Sequence, residues 1–405
     1  MSTSSQHLVI IGGGMVGASL AIALSGSGLR ITLVEAFSPK TDSLPSYDDR
    51  AIALAYGTRK IFESMGVWDA LKGSAEPIKH IHISDKGRFG QAHLDSEEQQ
   101  VPALGYVALA REMGRVLLDA LYACDDVEVI APAKLINFSA DDAGIDLQLE
   151  IEGQPREMRA DLLVAADGGK SFVREKLELP VQHWQYGQSA VIANITPEKK
   201  HENIAYERFT ESGPVALLPM TEERCAVVWT VEDENVEEVL SLSDDEFLQS
   251  FQTKFGYRLG RFQRVGKRSS YPLTLLRATQ STSKRAVVIG NAAHTLHPIA
   301  GQGFNLGIRD VAALVDVLQQ SEGDIGSDEV LESYENWRLA EQRNVALATD
   351  ALARIFGNPL PPVRLARNIG LIALQHCPPA KSFLASAAMG LFGKKPRLTR
   401  GVRHD

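Results

Sequence analysis

Cysteine is scarce in this chain: Cys124, Cys225 and Cys377 are the only three in 405 residues, far apart and without a C-x-x-C pair. An odd number at such spacing excludes a disulfide framework and suggests no zinc or other metal site. Long apolar runs are missing too, and no window approaches the ~20 unbroken apolar residues that a membrane-crossing helix needs. There is no basic excess: 42 Lys and Arg face 51 Asp and Glu, a net charge of −9, which argues against a nucleic-acid partner. The opening residues Met1 to Gln6 are short and polar, and the apolar run behind them leads into glycines rather than a cleavage site. No signal peptide is read, and a reducing cytoplasm is the expected location.

What is present is length. At 405 residues the chain exceeds the ~100–200 residues of one core, so interlocked domains with room for a large ligand are expected. Leu8-Val9-Ile10-Ile11 reads as a buried strand, Ala18 to Leu24 as a helix and Ile31 to Glu35 as a second strand, the opening of a parallel, doubly wound sheet. Leu162 to Ala166 and Ala286 to Ile289 are further short apolar strands ending in polar-plus-glycine turns. Between them, Ala190 to Ala193, Val215 to Leu218 and Ala226 to Trp229 alternate with turn-rich stretches, which predicts an inserted, mainly antiparallel domain. Helical periodicity returns at Val311, Leu314, Val315 and Leu318 and from Glu329 to Ile355. The fold expected is α/β, with a C-terminal helical segment. Residues 1–75, 101–180 and 276–345 would form a discontinuous dinucleotide-binding domain, 76–100 and 181–275 a substrate domain, and 346–405 C-terminal helices with a basic tail.

Three turns carry the chemistry. Gly12-x-Gly14-x-x-Gly17 follows a strand and opens a helix, with Glu35 at the end of the next strand. Glycines there let backbone amides approach a pyrophosphate, the helix N-terminus adds positive potential, and the acid suits a ribose hydroxyl. This turn alone does not separate FAD from NAD. The second, Asp167-Gly168-Gly169-Lys170-Ser171-Phe172-Val173-Arg174, gathers an acid, a flexible turn and a cation, and reads equally as a strand-to-helix connection capped by Ser171. The third runs from Gly290-Asn291 through His294, His297 and Pro298 to Gly301-Gln302-Gly303-Phe304-Asn305, where small residues admit a flat ligand and a helix start aims its amides at it. Either histidine fits a hydrogen-bonded structural role better than an acid-base one.

In this order and at these spacings the three turns resemble those of the group A flavoprotein monooxygenases, the para-hydroxybenzoate hydroxylase family, from His7 to about Ile355. The resemblance implies a glutathione-reductase-like FAD domain. Gly12, Gly14, Gly17 and Glu35 would hold the ADP part of FAD, Asp167 and Arg174 would serve FAD and a transient nicotinamide, and Gly290 and Asn291 the ribityl chain. Arg50 and Arg111 match cofactor-side arginines by context, Phe304 and Asn305 join the cofactor set, and Pro298, Gly301, Gln302 and Gly303 would frame the oxygen-reacting edge of the flavin. The family usually has Asp where this chain has Asn291; an amide accepts a hydroxyl hydrogen bond but brings no charge, which implies weaker FAD retention. Asp49-Arg50-Ala51-Ile52-Ala53-Leu54, Glu207-Arg208-Phe209-Thr210, Gly266-Lys267-Arg268-Ser269 and the Thr295 to Gly307 run are similar to the bacterial 2-polyprenyl-6-methoxyphenol hydroxylases of ubiquinone synthesis.

That likeness implies reduction of FAD by NAD(P)H without a second dinucleotide fold, oxygen as cosubstrate, a flavin C4a-hydroperoxide, and hydroxylation of a prenylated phenol with no protein nucleophile. Alternatives are a hydroxylase for another phenol or ring position, and a non-catalytic flavoprotein subunit of a biosynthetic complex. A halogenase on the same scaffold would need a W-x-W-x-I-P motif, which is absent. Leu217, Leu218, Val228 and Trp229 are candidates for an apolar substrate wall or for plain sheet core. From Val363 to Asp405, eight Lys or Arg face one acid, and Ser382 to Gly393 is small and apolar between Lys381 and Lys394. This tail reads either as a surface for peripheral contact with the inner face of an anionic membrane or for docking to other enzymes of the pathway, or as a plain solvated basic helix.

Overall fold

The computed structural model describes residues 5–38, 50–296, 301–357 and 360–401. His297 and Pro298, with Ile299 and Ala300, lie outside the described residues.

The run His7–Ile11 is buried at every position and lies between Arg30–Val34 and Leu162–Ala165, parallel to both. A strand covered on two faces needs an unbroken apolar run rather than alternation, and that is what the sequence supplies. The sheet has six strands, with Val127–Ile130 beyond Arg30–Val34 on one side and Ala286–Val288, then the short antiparallel Thr282–Ser283, on the other. The helices Met15–Leu24 and Gln302–Gln320 pack on it; Ile308, Val311, Leu314 and Val315 of the latter are fully buried against Leu8, Ile10 and Val164. The parallel, doubly wound sheet expected from the sequence is present. A three-stranded antiparallel sheet, Ala133–Ala140, Ile145–Ile151 and Gln154–Ala160, fills the stretch before Leu162.

The inserted region forms a nine-stranded, mainly antiparallel sheet. Its centre is the long strand Val181–Pro197, paired with Arg224–Glu232 on one side and Ser269–Ala278 on the other. Gly213–Met220, Ile204–Thr210, His80–Asp85 and Gln91–Asp95 continue outward. Strands with period 2 present two faces. One face carries Val191, Ile195, Leu217, Val227 and Trp229 against Phe247, Phe251 and Phe255 of the helix Asp244–Phe255. That helix starts with a capping box, Ser243 and Glu246 each bonding the other's backbone amide.

The opposite face turns toward the parallel-sheet half. A small sheet, Ala51–Ala55 with Gly105–Leu109 and Ala75–Ile78, stands between the two large ones. Ala51, Ile78, Val107 and Leu109 pack on Ala205, Leu218, Met220 and Ala226. Helix Asp328–Gly357 runs over strands Ile204–Thr210 and Gly213–Met220. Helices Pro361–Gln375 and Pro378–Ala388 close the far side, the first through Leu371 against Ala92 and Phe209.

Candidate functional site

The first glycine turn is built on contacts that no side chain fits. A methyl group on Gly17 would lie 1.9 Å from the Gly12 carbonyl oxygen, and one on Gly12 2.5 Å from the Ala166 carbonyl oxygen. Gly12 also has φ +103°, a conformation that only glycine adopts without strain. Gly14 differs: a methyl group there would meet no protein atom within 4 Å. It is the N-cap of Met15–Leu24, with no side-chain cap and no acid in the first turn, so the helix amides point outward unsatisfied. Glu35 accepts from the Gly13 amide at 2.6 Å and the Phe37 amide at 2.9 Å, which fixes its carboxylate beside the turn.

Gly12, Gly13, Gly14 and Glu35 line a cavity of about 490 Å³ that continues to Asp167 and Gly168 of the second turn. Asp167 accepts a long bond from the Val173 amide through Oδ2 at 3.3 Å, while its buried Oδ1 meets no partner among the described residues. Burial is the largest influence on this carboxyl and pushes its pKa above the ordinary value, against bonds from Ser171 and nearby amides. A buried acceptor without a donor is costly unless a ligand supplies one. Two glycine-bearing turns, an uncapped helix end and an orphaned carboxyl oxygen around one cavity fit the ADP and ribityl portions of a flavin dinucleotide.

Ser171 caps the short helix Phe172–Lys176 by accepting from the Arg174 amide at 3.0 Å, as its position suggested. The buried Arg174 guanidinium donates to the Ala292 and Gly169 carbonyls, both at 2.9 Å, and so ties the second turn to the third from within. Arg50 lies over the Tyr271 ring, 4.8 Å from its centroid, and its carbonyl accepts from the Ala110 amide. Arg111 is exposed, 3.5 Å from Glu112.

The third turn is held from behind by a network that sequence reasoning missed. Gly290 has φ +59°, and its amide donates to Asp310 Oδ2 at 3.1 Å. His294 Nε2 lies 2.7 Å from the same oxygen, with both side chains fully buried. Asp310 Oδ1 accepts from Arg338 Nε at 2.8 Å and Gln342 Nε2 at 2.9 Å. Glu341 pairs with Arg338 and also with Arg309, the latter at 2.6 Å. Burial alone would raise the Asp310 pKa, but His294 and Arg338 overcome it and hold the carboxyl well below its usual range. His294 is thus a brace. The only sequence signal was an acid on a helix whose neighbours Leu306, Ile308, Val311 and Leu314 are all core residues.

Asn305 uses its whole amide within the protein: Oδ1 accepts from the Ala55 amide and Thr58 hydroxyl, each at 2.8 Å, and Nδ2 donates to Ala53 and Gly301 carbonyls at 2.8 and 2.7 Å. It fixes the Gly301 turn to the small sheet. Gly301 has φ +61° and abuts Ala53, whereas Gly303 faces open space. No acid occupies the first turn of Gln302–Gln320, and Gly301 provides no side-chain cap, so this second helix end also offers free amides. Gln302 is buried and donates to the Ala388 carbonyl at 3.3 Å, and Phe304 packs edge-on to Phe62. Asn291 is exposed, and among the described residues its side chain has no hydrogen-bond partner.

The four candidate wall residues divide by strand alternation. Leu217 and Trp229 belong to the core under Asp244–Phe255. Leu218 and Val228 lie on the opposite face, which turns toward the small sheet. On that face the register aligns a row across the strands: Ser269, Ile192, Val228, Ala216, Glu207 and Ile83. All six are half-buried. The next residues along strand Ile204–Thr210 on that face, Ala205 and Phe209, are buried against the small sheet and the C-terminal helices. Partial exposure in one row between closed contacts is the floor of a recess, apolar except for its serine and glutamate. The same face packs on the small sheet, whose Ala53 abuts Gly301.

Comparison with known proteins agrees with this geometry. The family model described as "FAD binding domain" matches residues 5–349. The "Ubiquinone hydroxylase UbiL" of Rhodospirillum rubrum is 35% identical over 98% of this chain and 92% of its own length. The "3-demethoxyubiquinol 3-hydroxylase" of Escherichia coli is 32% identical over 96% of this chain and 100% of its own. Among solved structures, the p-nitrophenol 4-monooxygenase PnpA of Pseudomonas putida superimposes with a TM-score of 0.79 over 96% of this chain and 99% of that one, and at 19% identity it speaks for the fold. With a family match across most of its length and relatives that align end to end, the chain belongs to the FAD-binding-domain family of flavoprotein monooxygenases.

Proposed function

We propose that this chain is an NAD(P)H- and oxygen-consuming, FAD-dependent hydroxylase of ubiquinone synthesis. It would convert a 2-polyprenyl-6-methoxyphenol to the corresponding 1,4-benzoquinol. The observation that carries the reading is the half-buried, largely apolar row across the large sheet, on the face that packs on the small sheet whose Ala53 abuts Gly301; it suits an aromatic ring with an apolar substituent.

Bound FAD supplies the redox and oxygen chemistry. Gly12, Gly14 and Gly17 would admit the pyrophosphate to the amides of Met15–Leu24, Glu35 would meet the adenosine ribose, and Asp167 Oδ1 would take a hydroxyl proton donor from the cofactor. Gly290 and Asn291 would lie along the ribityl chain. The amides at Gly301–Phe304 would favour negative charge on the reduced ring system, framed with Pro298, Gln302 and Gly303. Arg174 and Asn305 would act by holding these turns in place, Phe304 by packing behind them. Arg50, over Tyr271, would border the ring side of the cavity, and Arg111 would stand at its outer edge. Residues 1–75, 101–180 and 276–345 would form the FAD-binding part, 76–100 and 181–275 the substrate part, and 346–405 the C-terminal helices and basic tail.

The test is turnover of purified protein with NADPH and a short-chain 2-prenyl-6-methoxyphenol. Phenol-dependent NADPH oxidation with the 1,4-quinol as product is expected. Product bearing the new hydroxyl at another ring carbon would reassign the pathway step, since the E. coli relative is named for hydroxylation at position 3.

Peripheral membrane contact is proposed as well. No described helix is long and apolar enough to cross a membrane. Of the eight tail cations, Arg367 is buried 2.7 Å from Asp85, Lys381 is buried 2.8 Å from Glu98, Arg364 is 3.6 Å from Glu211, and Lys394 lies 3.9 Å over the Trp337 ring. Ser382 to Gly393 is tied to the protein by Ala385 and Met389 against Leu94 and Leu104. What faces outward is apolar: Leu365 at 63% exposure, Ile369 at 57%, Phe383 at 58% and Phe392 at 56%, with Lys395 and Arg400 nearby in sequence. Such a surface suits an anionic bilayer, which would deliver a polyprenyl substrate. Vesicles containing anionic lipid are expected to carry the full chain in flotation and to lose it when Leu365, Ile369, Phe383 and Phe392 are changed to serine. Equal recovery of both proteins would remove the membrane and leave a partner enzyme as the occupant.

A further inference from the structure

We propose that Glu207 is the catalytic carboxyl that binds the phenolic hydroxyl of the substrate and accepts its proton. The inference rests on the hydroxylase reading above and deepens it.

Glu207 occupies the middle of strand Ile204–Thr210, opposite Ala216 on one side and Ile83 on the other. It is the one ionisable group in the row formed with Ser269, Ile192, Val228, Ala216 and Ile83. On its own strand and face it is flanked by Ala205 and Phe209, both buried in apolar contacts. Protein surrounds the side chain, yet it still touches open space, as a group lining an internal recess should. Among the described residues no hydrogen bond or ion pair to its carboxyl is present.

A half-buried carboxyl in an apolar row, without a protein donor and only partly reached by water, lowers stability. Alternation on this strand calls for an apolar residue at the position. A carboxyl kept there without a structural partner is explained by a ligand that brings its own donor. Apart from Ser269 the rest of the row is apolar and suits an aromatic ring, so the donor is the ring's hydroxyl. Burial, with no opposing charge, pushes the Glu207 pKa up to about 7. That value makes it a competent base near neutral pH, where a free phenol with a pKa of about 10 stays protonated.

The step balances. The phenol O–H bond breaks, its proton passes to the Glu207 carboxylate, and the electron pair remains on the phenol oxygen. This raises electron density at the ring carbons ortho and para to it. A ring carbon forms a new bond to one oxygen atom of O2, activated at the flavin at the expense of NAD(P)H, and the second oxygen atom leaves as water. The ring carbon gives up its hydrogen as a proton, and Glu207 returns its own proton to the first oxygen of the quinol.

Wild type, Glu207→Gln and Glu207→Leu, each as holoenzyme, are to be compared for hydroxylation of a short-chain 2-prenyl-6-methoxyphenol, for flavin content and for melting temperature. Hydroxylation is expected to fall at least about 100-fold in both variants. Flavin content should persist in both, and Glu207→Leu should melt at a higher temperature than wild type, which a structural glutamate would not do. Hydroxylation by Glu207→Gln within about threefold of wild type would overturn the proposal while leaving the hydroxylase intact. A wild-type holoenzyme that oxygenates no phenol would overturn the hydroxylase reading and this inference together.

Discussion

Gly17→Ala is expected to give no soluble yellow protein, whereas Gly14→Ala should fold and melt within a few degrees of wild type but lose its FAD. The difference lies in what each new methyl group meets. At position 17 it would lie 1.9 Å from the Gly12 carbonyl oxygen and 3.3 Å from Ala166 Cβ, both in the elements that the helix Met15–Leu24 must pack against. Backbone cannot yield there without separating helix from sheet, and Leu20, Ala21 and Leu24 of that helix are fully buried. Overpacking of an ordinary core position costs about 1–3 kcal/mol; a contact this short against main chain lies at or beyond the top of that range. At position 14 no protein atom is within 4 Å, and the extended backbone there, φ −63° and ψ 176°, suits alanine. The methyl group would stand in the cavity. Absorbance at 450 nm per mole of purified protein and thermal melts of the apoprotein separate the two effects. Equal flavin content in Gly14→Ala and wild type would contradict the placement of the pyrophosphate.

Asp310→Ala should be the most destabilising substitution distant from the cavity. Asp310 receives hydrogen bonds from the Gly290 amide, His294, Arg338 and Gln342, and all of these partners are deeply buried. Removing the acid leaves Arg338 with Glu341 and a long bond to the Leu306 carbonyl, and strands the Gly290 amide and His294. Breaking a buried ionic network in this way costs about 3–5 kcal/mol, and melting is expected to drop by roughly 10 °C. Because Gly290 belongs to the third turn, FAD retention should fall too. The pH dependence has a definite sign. The folded-state pKa of Asp310 is depressed below the ordinary 3.8, so its stabilisation is fully present above that value and disappears as the pH falls through the lower folded-state value. The stability gap between wild type and Asp310→Ala, measured by urea unfolding, should be constant from neutral pH to about 5 and narrow only at stronger acidity. A gap that closed between pH 7 and 5 would place the stabilising charge elsewhere.

The parts legible in the sequence are those whose physics is local. Gly12, Gly14 and Gly17 are glycines because backbone must approach backbone or ligand within one turn, and Glu35 follows at the end of the adjacent strand. His7–Ile11 and Leu162–Ala165 announce themselves because burial on both faces demands unbroken apolar runs. The Asp310 network and the Glu207 recess were not legible for the opposite reason. Asp310 meets Gly290, His294, Arg338 and Gln342 only because two helices cross behind a turn. Glu207 aligns with Ile192, Val228 and Ile83 only through the register of strands far apart in the chain. Each nevertheless breaks a periodic pattern, an acid where the helix or strand calls for an apolar side chain. The basic tail shows the converse error. Composition counts charges, but Arg367 and Lys381 face inward to Asp85 and Glu98, so the outward character of these helices is more apolar than their sequence charge implies.

The most direct test of FAD-dependent hydroxylation is a single turnover. The flavin of the purified holoenzyme is reduced with NADPH without oxygen, a short-chain 2-prenyl-6-methoxyphenol is added, and oxygen-18 gas is admitted. FAD is expected as the released flavin, with reoxidation on mixing and one oxygen-18 atom in the ring hydroxyl of a 1,4-benzoquinol. Reoxidation of the flavin with the phenol recovered unchanged, or a quinol oxygen derived from water, would contradict FAD-dependent hydroxylation.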